Sequence, residues 1–112
     1  MSYRIDELLL EDGVSPFANW FESLEAVAAA KVRVAVSRME QGNLSNVEWF
    51  RGIGEYKINW GPGLRIYLAK DGLKIIILIG GGTKKRQQHD VDKAVALWED
   101  YKRRKASTRQ GK

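Results

Sequence analysis

Residues 58–79, INWGPGLRIYLAKDGLKIIILI, decide the fold. They contain two turn signals and three apolar runs within one short stretch. Asp71-Gly72 is a strong two-residue hairpin signal, because glycine adopts the positive φ that the tight turn needs. With those two residues as the loop, Lys70 faces Leu73, Leu68 faces Ile75, Ile66 faces Ile77 and Leu64 faces Ile79. The last three pairs set apolar against apolar, so the register is self-consistent. Gly61-Pro62-Gly63 reads as a three-residue loop, with Trp60 facing Leu64, Ile58 facing Ile66, Asn59 facing Arg65 and Lys57 facing Tyr67. This predicts a meander. One face carries Ile58, Trp60, Leu64, Ile66, Leu68, Ile75, Ile77 and Ile79. The other carries Glu55, Lys57, Asn59, Arg65 and Tyr67, bordered by Ile76 and Leu78.

Outward from the meander, strands are expected over 46–51, 53–60, 64–70 and 73–80, separated by glycines. Residues 2–10 read as a strand or an irregular lead-in. Ser15-Pro16 starts a helix, with serine as cap and proline at the first helical position. A second helix over about 25–41 places Leu24, Ala28, Val32, Ala35 and Met39 on one buried stripe, and Gly42-Asn43 ends it. Beyond the sheet, Gly80-Gly81-Gly82 reads as a flexible hinge. Asp90 then caps a last helix with Val91, Ala94, Val95, Trp98 and Tyr101 on one stripe. Residues 102–112 read as a frayed helix end and a basic, disordered tail, so residues 1–101 make the single domain. The fold class is α+β: N-terminal helices and a C-terminal helix packed on a mainly antiparallel sheet of four or more strands. The polar sheet face is left for water or a ligand.

The 112 residues suit one domain, and the absence of cysteine excludes a disulfide scaffold, a thiolate zinc site and a cysteine nucleophile. No segment reads as a secretory signal or a membrane span, which points to a cytoplasmic protein. The net charge of +5 is uneven. Residues 1–30 hold one base, Arg4, against six acids, and residues 31–112 hold 18 bases against eight acids. A basic body favours a polyanionic partner, nucleic acid above all.

The polar sheet face gathers Glu55, Lys57, Arg65 and Tyr67, with Lys84-Lys85-Arg86 leaving the last strand at its rim. Cationic side chains neutralise phosphates, and a tyrosine can stack on an unpaired base. Cutting RNA through its own 2′-OH requires removal of that proton, stabilisation of the pentavalent phosphate and protonation of the leaving 5′-oxygen. Acid–base groups with a cationic clamp supply these without a metal. The ordinary alternative is a solvent-facing strand surface that is merely polar. His89, the single histidine, adjoins the basic loop. The glycine run lacks the spacing of a phosphate loop. No His, Asp and Glu cluster has metal-ligand spacing, so neither metal nor cofactor is expected. Trp20, Trp60 and Trp98 fall on apolar faces and read as core.

Several segments together resemble one family. They are Ser15-Pro16-Phe17 with Trp20, Arg38 with Gly42-Asn43-Leu44, Gly52 to Ile58, Gly61 to Tyr67, Gly81-Gly82-Thr83-Lys84 with Gln87, and Asp90-Val91 with Ala94, Trp98 and Tyr101. In this order and spacing they resemble the phage-derived "addiction module killer protein" branch of the RelE/HigB toxin superfamily. The resemblance implies a RelE-like fold and the toxin of a type II toxin–antitoxin system, a ribosome-dependent mRNA endonuclease that inhibits translation. It implies mRNA and the ribosome as targets, and as partner a helix-turn-helix antitoxin encoded beside it. It carries the catalytic role onto Arg65 and Lys57; from the sheet-face pattern, Glu55 joins them as a third catalytic candidate, and Tyr67, Lys84, Lys85, Arg86 and His89 are the candidate RNA contacts. The family more often has arginine where this chain has Lys57, and its loop usually reads Lys-Ser-Thr-Gln where this chain has Lys84-Lys85-Arg86-Gln87. The alternative reading is a non-catalytic, phage-derived module that binds nucleic acid or protein.

Overall fold

A computed structural model describes residues 2–110. Among them the chain forms β1 (Arg4–Glu7), α1 (Pro16–Glu22), α2 (Ala26–Glu40), β2 (Val47–Phe50), β3 (Ile53–Ile58), β4 (Leu64–Asp71), β5 (Ile75–Thr83) and α3 (Gln87–Gln110), with a 3-10 turn at Lys84–Arg86. The architecture is α+β. One five-stranded sheet has the order β1-β5-β4-β3-β2, antiparallel throughout except for the parallel β1–β5 pair.

The helix starts follow their sequence signals. Ser15 Oγ accepts from the Ala18 N–H at 3.0 Å, with Pro16 opening α1. In α2 the stripe Ala28, Val32, Ala35 and Met39 is buried, and each fully buried large side chain contributes about 1.5–3 kcal/mol. The last helix differs from its expected start. It begins at Gln87, so Asp90 lies in its first turn and is no cap. It also runs to Gln110, so residues 102–110 are helical rather than a tail. Ion pairs Lys102–Glu99 and Arg104–Asp100 follow helical spacing, Arg104 Nη2 donates to the Leu9 carbonyl at 3.0 Å, and Lys105 pairs with Asp71. Residues 111 and 112 of the expected tail lie outside the described residues.

The meander exists, but its register differs from the sequence reading. The β4–β5 loop is Gly72-Leu73-Lys74, closed by Asp71 opposite Ile75, and Leu68 faces Leu78. Between the pairs Tyr67–Gly80 and Leu68–Leu78 the ladder shifts, and Ile79 has no cross-strand partner. This bulge reverses the facing of everything beyond it. The β3–β4 loop is longer than three residues, with Ile58 opposite Leu64 and Lys57 opposite Arg65. Ile76 and Leu78 therefore join Leu64, Ile66 and Leu68, while Ile77 and Ile79 join Tyr67 and Ala69.

Both faces of the sheet are covered. Phe17 and the buried stripe of α2 pack with Tyr56, Leu64, Ile66 and Leu68. On the other face, Val91, Ala94 and Trp98 of α3 pack with Ile53, Tyr67, Ile77 and Ile79. The polar face left open by the sequence reading thus lies under α3. The glycines make this close approach feasible. A Cβ at Gly81 would lie 2.3 Å from the Trp20 ring, and one at Gly82 would lie 2.0 Å from the Asp90 carboxylate. These neighbours sit on opposite faces of β5, so Gly80-Gly81-Gly82 is strand and packing surface rather than a hinge.

Candidate nucleic-acid interface

Strand β3 extends past the end of β2, whose pairing stops at Val47–Tyr56. Lys57 and Ile58 consequently stand at an unpaired edge. Cross-strand pairing sets Lys57 opposite Arg65 and Glu55 opposite Tyr67. The carbonyl of Gly63 accepts from both Arg65 Nη1 at 3.1 Å and the Lys84 backbone N–H at 2.9 Å. Gly63 needs its left-handed φ of +79° for this turn, and a Cβ there would press on both side chains. One corner of the sheet thus gathers Lys57, Arg65 and Lys84, which sequence separates widely.

Behind these cations lies a buried polar group. Glu55 is 1% exposed and Arg65 7%. Gln87, from the first turn of α3, donates to both Glu55 oxygens at 3.1 and 2.9 Å. Arg65 Nε lies 3.6 Å from Glu55 Oε2 and has no hydrogen bond, and Lys57 Nζ lies 3.9 Å from Oε1. Lys57 also approaches the exposed Glu48 at 3.4 Å. A buried carboxylate needs such donors and cations to stay charged out of water.

The expected residues divide accordingly. Lys57, Lys84, Lys85, Arg86 and His89 are exposed, as an RNA contact requires. Glu55, Tyr67 and Arg65, the residue expected to clamp the phosphate, are enclosed. Glu55 cannot meet a 2′-OH directly; it orients Arg65 and Lys57. Tyr67 is 1% exposed beneath α3, so it does not stack a base. Its hydroxyl makes no well-formed hydrogen bond but lies close enough to the Glu55 carboxylate to interact with it, and its ionisation is pushed well above the usual tyrosine range by burial first and then by the charge and hydrogen-bonding of Glu55. His89 lies in the first turn of α3, away from the Glu55 carboxylate contacts and close enough to favour the charged form of Asp92. The larger causes of that lowered carboxyl are hydrogen bonds from Arg51 and Gln88.

Sequence reasoning missed one surface. A cleft of about 530 Å³ opens between α2 and β3, with Lys31, Arg38 and Lys57 on its walls and no acid among its lining residues. Trp60, assigned to the core, is half-buried and lines it. The available signal was the second stripe of α2, where Val27, Lys31, Val34 and Arg38 recur at helical spacing away from the core stripe.

Among the described residues no helix is long and apolar enough to cross a membrane, and no group of three or more His, Cys, Asp or Glu is placed to hold a metal ion. No family model and no solved structure matches the chain. A protein of Haemophilus influenzae, described as uncharacterized, is 32% identical over 83 residues, which cover 72% of this chain and 84% of that protein. With that identity and coverage, the chain belongs to one family with the Haemophilus influenzae protein.

Proposed function

We propose that the chain is the toxin of a type II toxin–antitoxin pair, of the RelE/HigB kind, and that it inhibits translation by cutting mRNA on the ribosome. A helix-turn-helix antitoxin encoded beside it would neutralise it in the cytoplasm. The observation that carries this reading is the cationic corner, where Lys57 pairs across the ladder with Arg65, and the Gly63 carbonyl accepts from Arg65 Nη1 and from the Lys84 backbone N–H. Cations held on rigid strands, with a buried carboxylate fixing their geometry, suit the clamp that a scissile phosphate needs. Lys57, exposed at the strand edge, meets the phosphate and can carry a proton, and Arg65, 7% exposed, stands behind it and adds its charge to the clamp. Lys84, Lys85 and Arg86 hold the flanking backbone. The 2′-oxygen attacks phosphorus, the bond to the 5′-oxygen breaks, the 2′-OH proton leaves, and the 5′-oxygen takes one up.

A second reading, a binding module without chemistry, is favoured by the burial of Glu55 and Tyr67, which leaves no exposed carboxylate–tyrosine pair at the corner. Induced expression in a bacterial host separates the two, alone and with the neighbouring gene, with mRNA 5′ ends mapped. Growth arrest with new cleavage ends, relieved by the neighbour and lost in Lys57→Gln, supports the toxin reading. Normal growth with intact mRNA overturns it. Lys57→Gln is the sharper variant, because Lys57 is exposed and its loss leaves the buried Glu55–Gln87 contact in place.

A further inference from the structure

We infer that the cleft between α2 and β3 is a binding track for single-stranded RNA, with Lys31 and Arg38 on phosphates and the Trp60 ring under a base. The inference rests on the RNA-directed reading above and adds the residues that would hold the strand. Its starting point is the exposed stripe of α2. Val27 and Val34 are 54% and 50% exposed, although β-branched residues neither favour a helix nor gain by facing water. Between and beyond them on the same stripe stand Lys31 and Arg38, and neither makes an ion pair among the described residues. Side chains chosen for solubility alone would alternate charges of both signs, whereas this stripe presents apolar groups and cations only.

Across the cleft stands β3. Trp60 packs one part of its ring on the core and turns another part to the cleft, so an aromatic surface is already held in place at little entropic cost. Every base has a π-face, and stacking on such a ring is tolerant of sequence. The cleft volume of about 530 Å³ lies in the range of small-ligand sites, roughly 300–1,000 Å³. Its volume is enough for an unpaired nucleotide. The floor is continuous with the cationic corner, since Asn59 and Trp60 also line the next hollow, which Lys84 closes. A strand lying on Lys31 and Arg38 would therefore pass Trp60 and arrive at Lys57, Arg65 and Lys84.

The test is fluorescence anisotropy of a labelled single-stranded oligoribonucleotide and of its duplex, over a series of salt concentrations. Variants are Lys31→Glu with Arg38→Glu, the milder Lys31→Ala with Arg38→Ala, Trp60→Leu, Trp60→Phe, and Lys74→Glu, on the opposite hairpin, with the same net charge change as the double alanine variant. Thermal unfolding of each confirms the fold. The single strand is expected to bind at least tenfold tighter than the duplex. The double alanine variant should lower the slope of log affinity against log salt by about 1.4, two single-strand phosphate contacts. Trp60→Leu should weaken binding about tenfold at unchanged slope, with Trp60→Phe recovering much of it and Lys74→Glu nearly neutral. Equal binding by wild type and the folded cleft variants overturns the inference. So does tighter binding of duplex, or loss of no more affinity than Lys74→Glu causes. If mRNA cleavage in cells persists undiminished in the cleft variants, the track is wrong and the toxin reading stands. If cleavage is absent from wild type, the toxin reading itself fails.

Discussion

The Gln87 side-chain amide holds both oxygens of the Glu55 carboxylate, at 3.1 and 2.9 Å, and so ties the start of α3 to the middle of β3. Removing that amide leaves a carboxylate that is 1% exposed with only the looser approaches of Arg65 and Lys57. Gln87→Ala is expected to cost about 1–3 kcal/mol, the penalty for an under-satisfied buried charge. Urea denaturation followed by tryptophan fluorescence reads it, and an unchanged midpoint would show that the amide contributes nothing.

Tyr67 makes the opposite case. Its hydroxyl is buried beside the Glu55 carboxylate without a well-formed hydrogen bond, so Tyr67→Phe should change stability by no more than about 1 kcal/mol near neutral pH. The pH dependence has a definite sign. Burial and the Glu55 charge raise the folded-state ionisation above that of the unfolded chain. The stability tied to the protonated phenol is therefore complete below about pH 10 and is lost as pH rises beyond it, because only the unfolded chain ionises there. Wild type should lose stability above that pH faster than Tyr67→Phe; parallel denaturation profiles would contradict the assignment.

Gly80 and Gly81 are adjacent in β5 and should respond differently to one methyl group. At Gly81 a Cβ meets the Trp20 ring at 2.3 Å, so Gly81→Ala should cost about 1–3 kcal/mol through displacement of the indole. At Gly80 nothing lies within 4 Å, and Gly80→Ala should gain about 0.5 kcal/mol through the unfolded chain. Calorimetric melting of the two variants compares them directly.

The last turns of α3 are held by contacts outside the helix, from Arg104 to the Leu9 carbonyl and from Lys105 to Asp71. Truncation after Tyr101 should reduce far-ultraviolet helix signal and lower stability by about 1 kcal/mol, a small value because these groups are partly exposed. A stability equal to that of the full chain would mean these contacts do not hold the helix.

Element types were legible in the sequence because each rests on a local signal. Ser15-Pro16 marks a helix start, the Ala28–Met39 stripe marks a buried helix face, and glycines punctuate the strands. Register was not legible. Ile75 to Ile79 is apolar at every position, as befits a strand buried on both faces, and such a run fits any pairing equally well. The bulge at Ile79 leaves no mark in a row of isoleucines and leucine. Because register assigns faces, the same gap hid that α3 covers Glu55, Arg65 and Tyr67. The cations at the corner were nonetheless found, since Lys57 and Arg65 lie on neighbouring strands in either register. The cleft was not found, because its walls come from α2 and β3, which no local pattern relates.

Strand β1 has β5 as its only ladder partner, with Arg4 opposite Ile75 and Glu7 opposite Leu78. Residues 4–7 therefore dock against residues 75–78, far away in sequence. Hairpins among β2, β3, β4 and β5 close over short loops, whereas the β1–β5 pair must close a far longer stretch of chain, from Arg4 to Ile75. On loop-closure grounds, pairing within the meander is expected to precede the β1–β5 pair. Arg4–Glu7 have no ladder to join until β5 is in place, so the parallel pair depends on a meander that does not depend on it.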